Sequence, residues 1–140
     1  KAYTRLTRHR EAVHSITLHH SESTMVTVGA DHVRKWKLPA GDFFTNMNNT
    51  TIPNAPQAGL WNTSCVNADN VLFVGSRDGK MRFYDYGSHR LYQHGETKSV
   101  KGAMAGELGI RCATFDISGT RLLTGEGDKM VKIWGQVTPQ

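Results

Sequence analysis

The chain has 140 residues, of which 38% are hydrophobic and 21% charged, and its formal net charge is +5. This composition is ordinary for one modest globular domain, and no apolar run approaches the ~20 residues that a helix needs to cross a bilayer. The excess of basic residues favours an acidic partner, such as RNA or an acidic protein surface. Both cysteines lie in apolar, strand-like runs, which predicts buried thiols in a reducing compartment.

The first predicted element is a short strand at residues 2–7, "AYTRLT", and most of the remaining chain is a threefold internal repeat. Residues 13–37, 61–85 and 110–135 align with one another almost without gaps. Each unit carries an aspartate in a predicted turn and an aromatic residue near its end. These pairs are Asp31 and Trp36, Asp78 and Tyr84, and Asp128 and Trp134.

Within each unit the alternation of apolar and polar residues predicts three short strands separated by turns. A fourth strand is predicted in the first two units, at residues 42–46 and 89–93. In the third unit, Gly125 and Gly127 are predicted to permit the tight turn at Asp128. Four antiparallel strands in about 40–50 residues are typical of one blade of a β-propeller.

We therefore predict an all-β fold, a β-propeller of which about three blades are present. The predicted blades occupy approximately residues 8–46, 56–93 and 105–140, and residues 2–7 form the outer strand of a preceding blade. A β-sandwich can also be built from such strands, but it does not require a common register between the units. Because the chain begins with Lys1 rather than Met, and three blades cannot close a ring, we expect a fragment of a longer, seven-bladed propeller.

At the repeated positions the sequence resembles the WD-repeat family, whose repeat runs from a Gly-His pair to a Trp-Asp pair. The resemblance implies a buried chain of hydrogen-bonded side chains in each blade. In the first blade its members are His9, Thr27, Asp31 and Trp36. In the third they are Thr124, Asp128 and Trp134, with no histidine at the matching place. The second keeps Asp78 and Tyr84, but Val74 replaces the hydroxyl residue.

A finer resemblance links residues 62–86 and 112–134 to the last two repeats of the pleiotropic-regulator family, the WD-repeat scaffolds of the spliceosome. "GADHVRKWKLPAG", residues 29–41, is similar to the family's penultimate region. This resemblance implies a noncatalytic protein-interaction scaffold for pre-mRNA splicing, located in the nucleus and without a cofactor. Spliceosomal proteins are the expected partners, and RNA would be contacted indirectly or weakly.

Two other functions are compatible with the sequence. The first is a substrate-recognition WD-repeat module of another complex, such as a ubiquitin ligase. The second is a standalone RNA-binding domain, which would need exposed aromatic side chains for base stacking. Only Trp61 is a candidate for such exposure.

The resemblance also implies where partners bind. The expected positions are the residue just after the apolar anchor of each first strand, the residue two before that anchor, and the residue before the turn aspartate. The candidate partner-binding residues are His14, Leu60, Asn62, Arg77 and Arg111. The two arginines can form charge-assisted contacts with carboxylates or phosphates.

Three chemical signals favour structural interpretations. Residues 75–81, "GSRDGKM", are one residue short of a phosphate-binding loop, so a hairpin turn at Asp78-Gly79 is predicted instead. His14, His19 and His20 have no cysteine or carboxylate at metal-ligand spacing, and no Gly-x-Ser-x-Gly motif marks a nucleophile. The basic residues Arg34, Arg82 and Lys132 are predicted to pack their aliphatic stems between blades with the charge at the rim. The sequence therefore predicts neither an enzyme nor a metal site.

Three blades alone would leave blade faces uncovered, so we expect the chain to self-associate through them. In the most specific form of this prediction, residues 2–7 of one copy complete the last blade of another, and two copies close a six-bladed ring.

Overall fold

The computed structural model describes residue 9 and residues 12–29, 32–38, 49–51 and 61–135. In this part of the chain eleven strands form three antiparallel sheets. The first sheet contains β1 (Val13–Leu18), β2 (Thr24–Gly29), β3 (Val33–Lys37) and β4 (Asn49–Thr51). The second contains β5 (Trp61–Val66), β6 (Val71–Ser76), β7 (Lys80–Asp85) and β8 (Leu91–Glu96). The third contains β9 (Ile110–Phe115), β10 (Arg121–Glu126) and β11 (Val131–Gly135), preceded by a 3₁₀ turn at Ala105–Glu107.

Each sheet is a simple meander, in which strands that follow one another in the chain also pair with one another. The innermost strands contact one another across the sheets, β1 against β5 and β5 against β9. Such successive meanders, packed face to face, are the arrangement of consecutive propeller blades. No helix among the residues given above is long and apolar enough to cross a membrane.

The outer strand of the second sheet begins later than the sequence predicted. In the second sheet, β8 begins at Leu91 and continues past residue 93 to Glu96. The reason is the preceding turn, because His89 adopts a positive φ of 63° and its N–H donates to the carbonyl of Asp85. Pairing with β7 can start only after that turn.

The first and third sheets have boundaries that differ from those predicted for their blades. The predicted strand at 42–46 lies outside the described residues, and β4 at Asn49–Thr51 extends the first sheet beyond residue 46. The third sheet spans residues 110–135. The predicted outer strand at 2–7 also lies outside the described residues.

Two hydrophobic cores lie between the sheets. The first separates the first and second sheets and contains Val26, Val28, Val33, Trp61, Leu72, Val74, Tyr84 and Tyr86. The second separates the second and third sheets and contains Cys65, Phe73, Met81, Ile110 and Leu122. The middle sheet is thus covered on both faces, which explains why almost every residue of β6 is buried. Burial of these apolar side chains is the main force that joins the blades.

Candidate protein-interaction face and its polar networks

Each innermost strand carries a β-bulge at its first residues. Pairing of β1 with β2 skips His14, pairing of β5 with β6 skips Asn62, and pairing of β9 with β10 skips Arg111. A bulge leaves one residue outside the ladder and changes the direction of its side chain. The three bulge residues are the positions that the sequence analysis placed just after the apolar anchors.

The three bulge side chains have different surroundings. His14 and Arg111 are exposed, and the Arg111 guanidinium donates from Nη2 to the carbonyl of Gly106 at 2.8 Å. Asn62 is buried instead, and its Nδ2 donates to the carbonyls of Ile110 at 3.0 Å and Arg111 at 3.3 Å. Its amide therefore ties the second sheet to the third. The fourth candidate, Leu60, lies outside the described residues.

The turns of the second and third sheets meet at the same end of the blades. Arg77 is exposed in the turn between β6 and β7, and its backbone lies against Gly109, where a Cβ would overlap the Arg77 carbonyl. Gly109 adopts a positive φ of 83°, and its carbonyl accepts the N–H of Gly127 at 2.9 Å. We call the surface that Arg77, Gly109, Arg111 and Gly127 form at this end of the blades the arginine face.

In the first blade, polar side chains connect a histidine to a tryptophan. The Trp36 indole N–H donates to Thr27 Oγ1 at 2.8 Å, and His9 Nε2 lies 2.7 Å from the same oxygen. Trp36 and Thr27 are buried. Asp31, the fourth predicted member of this chain, lies outside the described residues.

The third blade uses a carboxylate where the first uses a histidine. Trp134 Nε1 donates to Thr124 Oγ1 at 2.9 Å, and the Thr124 hydroxyl donates to Glu126 Oε2 at 3.1 Å. The other carboxylate oxygen, Oε1, accepts the Thr97 hydroxyl at 2.8 Å and lies 3.1 Å from the Lys132 ammonium. We call these five side chains the Glu126 network.

The hydrogen bonds of the Glu126 network form two series, and both end at the Glu126 carboxylate. The hydroxyls of Thr97 and Thr124 therefore each accept one hydrogen bond and donate another. Lys132 also donates to Thr97 Oγ1 and to the carbonyl of Lys98, each at 2.6 Å. The charge of Lys132, predicted to lie at the rim, pairs with the buried carboxylate of Glu126, and the Lys132 side chain is 26% exposed. Asp128 serves another purpose: its carboxylate accepts the backbone N–H groups of Val100 at 2.8 Å and Met130 at 3.2 Å.

In the second blade, substitution within the repeat leaves one polar group unsatisfied. Val74 stands where Thr27 and Thr124 stand in the other blades, and the buried Tyr84 hydroxyl has no hydrogen-bond partner among the described residues. Burial raises the pKa of Tyr84 to about 12. Asp78 remains in the hairpin turn, where its carboxylate accepts the Ser76 hydroxyl and the N–H of Lys80.

Glycines of the third blade are needed for close packing rather than for the turn geometry predicted from the sequence. A Cβ on Gly127 would lie 2.9 Å from the carbonyl oxygen of Glu107, and one on Gly125 would lie 2.6 Å from Cys112 Sγ. The positive φ of that turn belongs to Lys129, at 72°. In the second blade, Gly79 has a φ of 91° in the hairpin turn predicted there.

At the end of the blades opposite the arginine face, His19 joins the first and second sheets. His19 Nε2 lies 2.7 Å from Asn70 Oδ1, and Nδ1 accepts the N–H groups of Ser21 and Glu22. The His19 ring also packs on Tyr86, with 4.5 Å between ring centroids. No group of three or more candidate metal ligands occurs in the described part of the chain.

Lys35 completes this contact between the blades. Its ammonium donates to the Tyr86 carbonyl at 2.8 Å and lies 3.9 Å from the centroid of the Tyr86 ring. Burial lowers the pKa of Lys35, against the opposing effects of the Glu22 and Asp85 carboxylates.

The structure also tests the burial predicted for single residues. Trp61, considered as an exposed stacking residue, is 2% exposed and lies in the first core. Cys65 is buried as predicted, whereas Cys112 is exposed. Glu126 and Thr97 were not predicted as functional residues. A charged residue in a strand, such as Glu126, normally indicates a solvent-facing position, and Thr97 lies outside the repeat. The available signal was that strand alternation places Glu126 on the same face of β10 as Leu122 and Thr124, both of which are buried.

Comparisons with known proteins place these features in a repeat family. The model of the WD domain, G-beta repeat, matches residues 95–135, from the end of β8 through β11. Pre-mRNA-splicing factor PRP46 of Kluyveromyces lactis is 44% identical over 125 residues, which are 89% of this chain and 27% of that protein. Protein pleiotropic regulator PRL2 of Arabidopsis thaliana is 35% identical over 134 residues, covering 96% of this chain and 27% of that protein.

A relative from cattle shows the same partial coverage. Pleiotropic regulator 1 of Bos taurus is 32% identical over 120 residues, or 86% of this chain and 22% of that protein. The chain therefore spans about a quarter of the length of these relatives.

Among solved structures, the WD40 β-propeller domain of Doa1 superposes with a TM-score of 0.68 at 17% identity. The match covers 94% of this chain and 40% of that domain's chain. The predicted all-β fold, a partial propeller, is thus confirmed.

Proposed function

Because the chain belongs to the WD-repeat family and is related to the PRP46 and pleiotropic-regulator splicing factors, we propose that it is a noncatalytic protein-interaction scaffold in pre-mRNA splicing. In this proposal the chain acts in the nucleus and holds spliceosomal proteins. The observation that carries the proposal is the 44% identity over 125 residues to a protein named as a pre-mRNA-splicing factor.

The chemistry of the blades supports a scaffold. The buried polar side chains Thr27, Thr124, Glu126 and Asn62 are engaged in hydrogen bonds that join strands, sheets and loops. Groups used in this way fix the blades relative to one another. A fixed set of blades presents its turns as a surface of constant shape, which favours the binding of a partner because little entropy is lost on association.

The candidate partner-binding residues fit this proposal in different degrees. We propose Arg77 and Arg111 as the principal contacts, because both are exposed on the arginine face, and His14 as a contact on the first blade. Asn62 would act indirectly, by holding the carbonyl of Arg111 and hence the bulge that carries the arginine.

The proposal is tested by capture of proteins from nuclear extract on the immobilised chain, followed by mass spectrometry. We expect spliceosomal proteins to be enriched. The double variant Arg77→Glu and Arg111→Glu should retain its melting temperature and lose that enrichment, whereas Arg90→Glu, with an equal charge change per site at the opposite end of the second blade, should retain it. Enrichment of cullin-ligase subunits in place of splicing proteins would favour the ubiquitin-ligase alternative and refute a splicing role.

A further inference from the structure

The segment between the second and third sheets, residues 97–109, is held in place on the arginine face. Its first residue belongs to the Glu126 network. Three residues later, the N–H of Val100 donates to the buried carboxylate of Asp128 at 2.8 Å, and at the end of the segment the Gly109 carbonyl accepts the N–H of Gly127. We call this segment the 97–109 loop. These contacts come from the third blade, and the second blade adds one, because the Thr97 N–H donates to the Gly79 carbonyl at 2.8 Å. The loop is therefore held from both sides and presents a defined surface.

The 97–109 loop exposes apolar side chains to solvent. Met104 is 73% exposed, Val100 44% and Leu108 37%. Met104 stands at the start of the 3₁₀ turn, where its carbonyl accepts the N–H of Glu107 at 2.9 Å. An exposed methionine on an ordered loop is characteristic of an adaptable binding surface, since the thioether is flexible and polarizable.

The same surface is strongly basic. Lys98 and Lys101 are exposed on the loop, and the Arg111 guanidinium lies against its Gly106 carbonyl. Arg77 contacts the loop through Gly109. The one carboxylate of the loop, that of Glu107, accepts the N–H of Met104 at 3.2 Å. A partner that covers this surface must therefore bring negative charge.

We propose that the 97–109 loop, together with Arg77 and Arg111, binds an acidic peptide segment that carries an aliphatic anchor residue. The anchor packs on Met104 and Leu108, and carboxylates on either side of it pair with the two arginines. This inference rests on the proposed function as a protein-interaction scaffold and specifies the chemistry of the partner. A peptide fits better than RNA, because single-stranded RNA is usually held by stacking on aromatic rings and the sequence of the loop contains none.

The test is fluorescence anisotropy with labelled synthetic ligands and the 140-residue chain. The probe is a short peptide in which leucines are spaced among glutamates. One comparison peptide has serines in place of the leucines, and an oligouridylate of similar length represents RNA. We expect the leucine peptide to bind most tightly and its binding to weaken as salt is added.

Two substitutions and their matched controls locate the site. Met104→Glu and Arg77→Glu should each weaken binding of the leucine peptide about tenfold, the effect of losing a central interface contact. Ile117→Glu replaces another exposed apolar residue, in the turn after β9 at the opposite end of the third blade. Ile117→Glu and Arg90→Glu should leave binding unchanged. Circular dichroism on every variant shows whether the fold is retained.

Several results would overturn the inference. Equal affinity for the leucine and serine peptides would mean that charge alone attracts the ligand, and tighter binding of the oligouridylate would assign the surface to RNA. Equal losses in Met104→Glu and Ile117→Glu would place the anchor site elsewhere. These outcomes are independent of the capture experiment, because a chain that binds no leucine peptide can still enrich splicing proteins through another surface, and the reverse also holds.

Discussion

Replacing Glu126 with alanine measures how much the Glu126 network stabilises the third blade. The carboxylate is almost fully buried, at 1% exposure, and accepts hydrogen bonds from Thr97 and Thr124 while pairing with Lys132. Its removal leaves two hydroxyls without their acceptor, at about 1 kcal/mol each. It also leaves a partly buried ammonium without its counter-ion.

The size of the stability loss in Glu126→Ala depends mainly on the Lys132 ammonium. Breaking a fully buried ion pair costs about 3–5 kcal/mol. Lys132, however, is 26% exposed and keeps its hydrogen bonds to Thr97 Oγ1 and the Lys98 carbonyl, so its own contribution lies below that range. We expect a total loss of about 3 kcal/mol in the free energy of unfolding for Glu126→Ala. Glu126→Gln, which keeps an acceptor oxygen and most of the volume, should lose about 1 kcal/mol.

Urea unfolding followed by tryptophan fluorescence provides the measurement, since Trp134 belongs to the network. The control is Glu96→Ala, an exposed carboxylate on β8, which should shift the midpoint little. If Glu126→Ala and Glu96→Ala unfold at the same urea concentration, the network does not stabilise the blade. The reasoning would also fail if Glu126→Gln were as unstable as the alanine variant, because charge and hydrogen bonding would then not be separable.

Three further predictions follow from exposure and burial. Iodoacetamide should label Cys112 in the native chain and Cys65 only after unfolding, because burial raises the pKa of Cys65 to about 12. Mass spectrometry of the labelled peptides checks this prediction, and labelling of Cys65 in the native chain would contradict it. Tyr84→Phe should leave the urea midpoint unchanged or raise it, since the hydroxyl it removes has no partner among the described residues; a loss of more than about 1 kcal/mol would reveal a partner. The chain should self-associate through the exposed apolar side chains of β1, Ile16 and Leu18, and those of β11, Val131 and Ile133. Light scattering measures the association, which Ile133→Glu should reduce, and a monodisperse monomer of the parent chain would refute the prediction.

The strands were predictable because they depend on local alternation and on turn residues that recur in each unit. β2, β6 and β10 follow directly from the repeated apolar pattern, and the hairpin at Asp78-Gly79 follows from its turn chemistry. The start of β8 was placed too early, since nothing in the local sequence shows that His89 takes a positive φ. Histidine adopts that conformation less readily than glycine, and the surrounding turn imposes it.

The polar interior was less predictable, because it depends on contacts between distant segments. From the sequence, Asn62 is a candidate partner-binding residue like His14 and Arg111. Only the position of the third sheet turns its amide toward the carbonyl of Ile110. Glu126 and Lys132 are similar cases, since their charges are stabilised by Thr97, a residue in a loop that has no repeated pattern. The third blade lacks the histidine, and Thr97, which lies outside the repeat, compensates by completing the network around Glu126.

That compensation links the stability of the third blade to its candidate binding surface. The Glu126 network holds Thr97, which is the first residue of the 97–109 loop, so a change in Glu126 should also disturb the position of Met104. The disturbance should be partial, because the contacts of Val100 with Asp128 and of Gly109 with Gly127 remain. We therefore expect Glu126→Gln to weaken binding of the leucine peptide less than Met104→Glu does, when both variants are measured fully folded. Unchanged affinity in Glu126→Gln would show that the far end of the loop alone sets its geometry, and a loss as large as that of Met104→Glu would show that Thr97 is the dominant anchor.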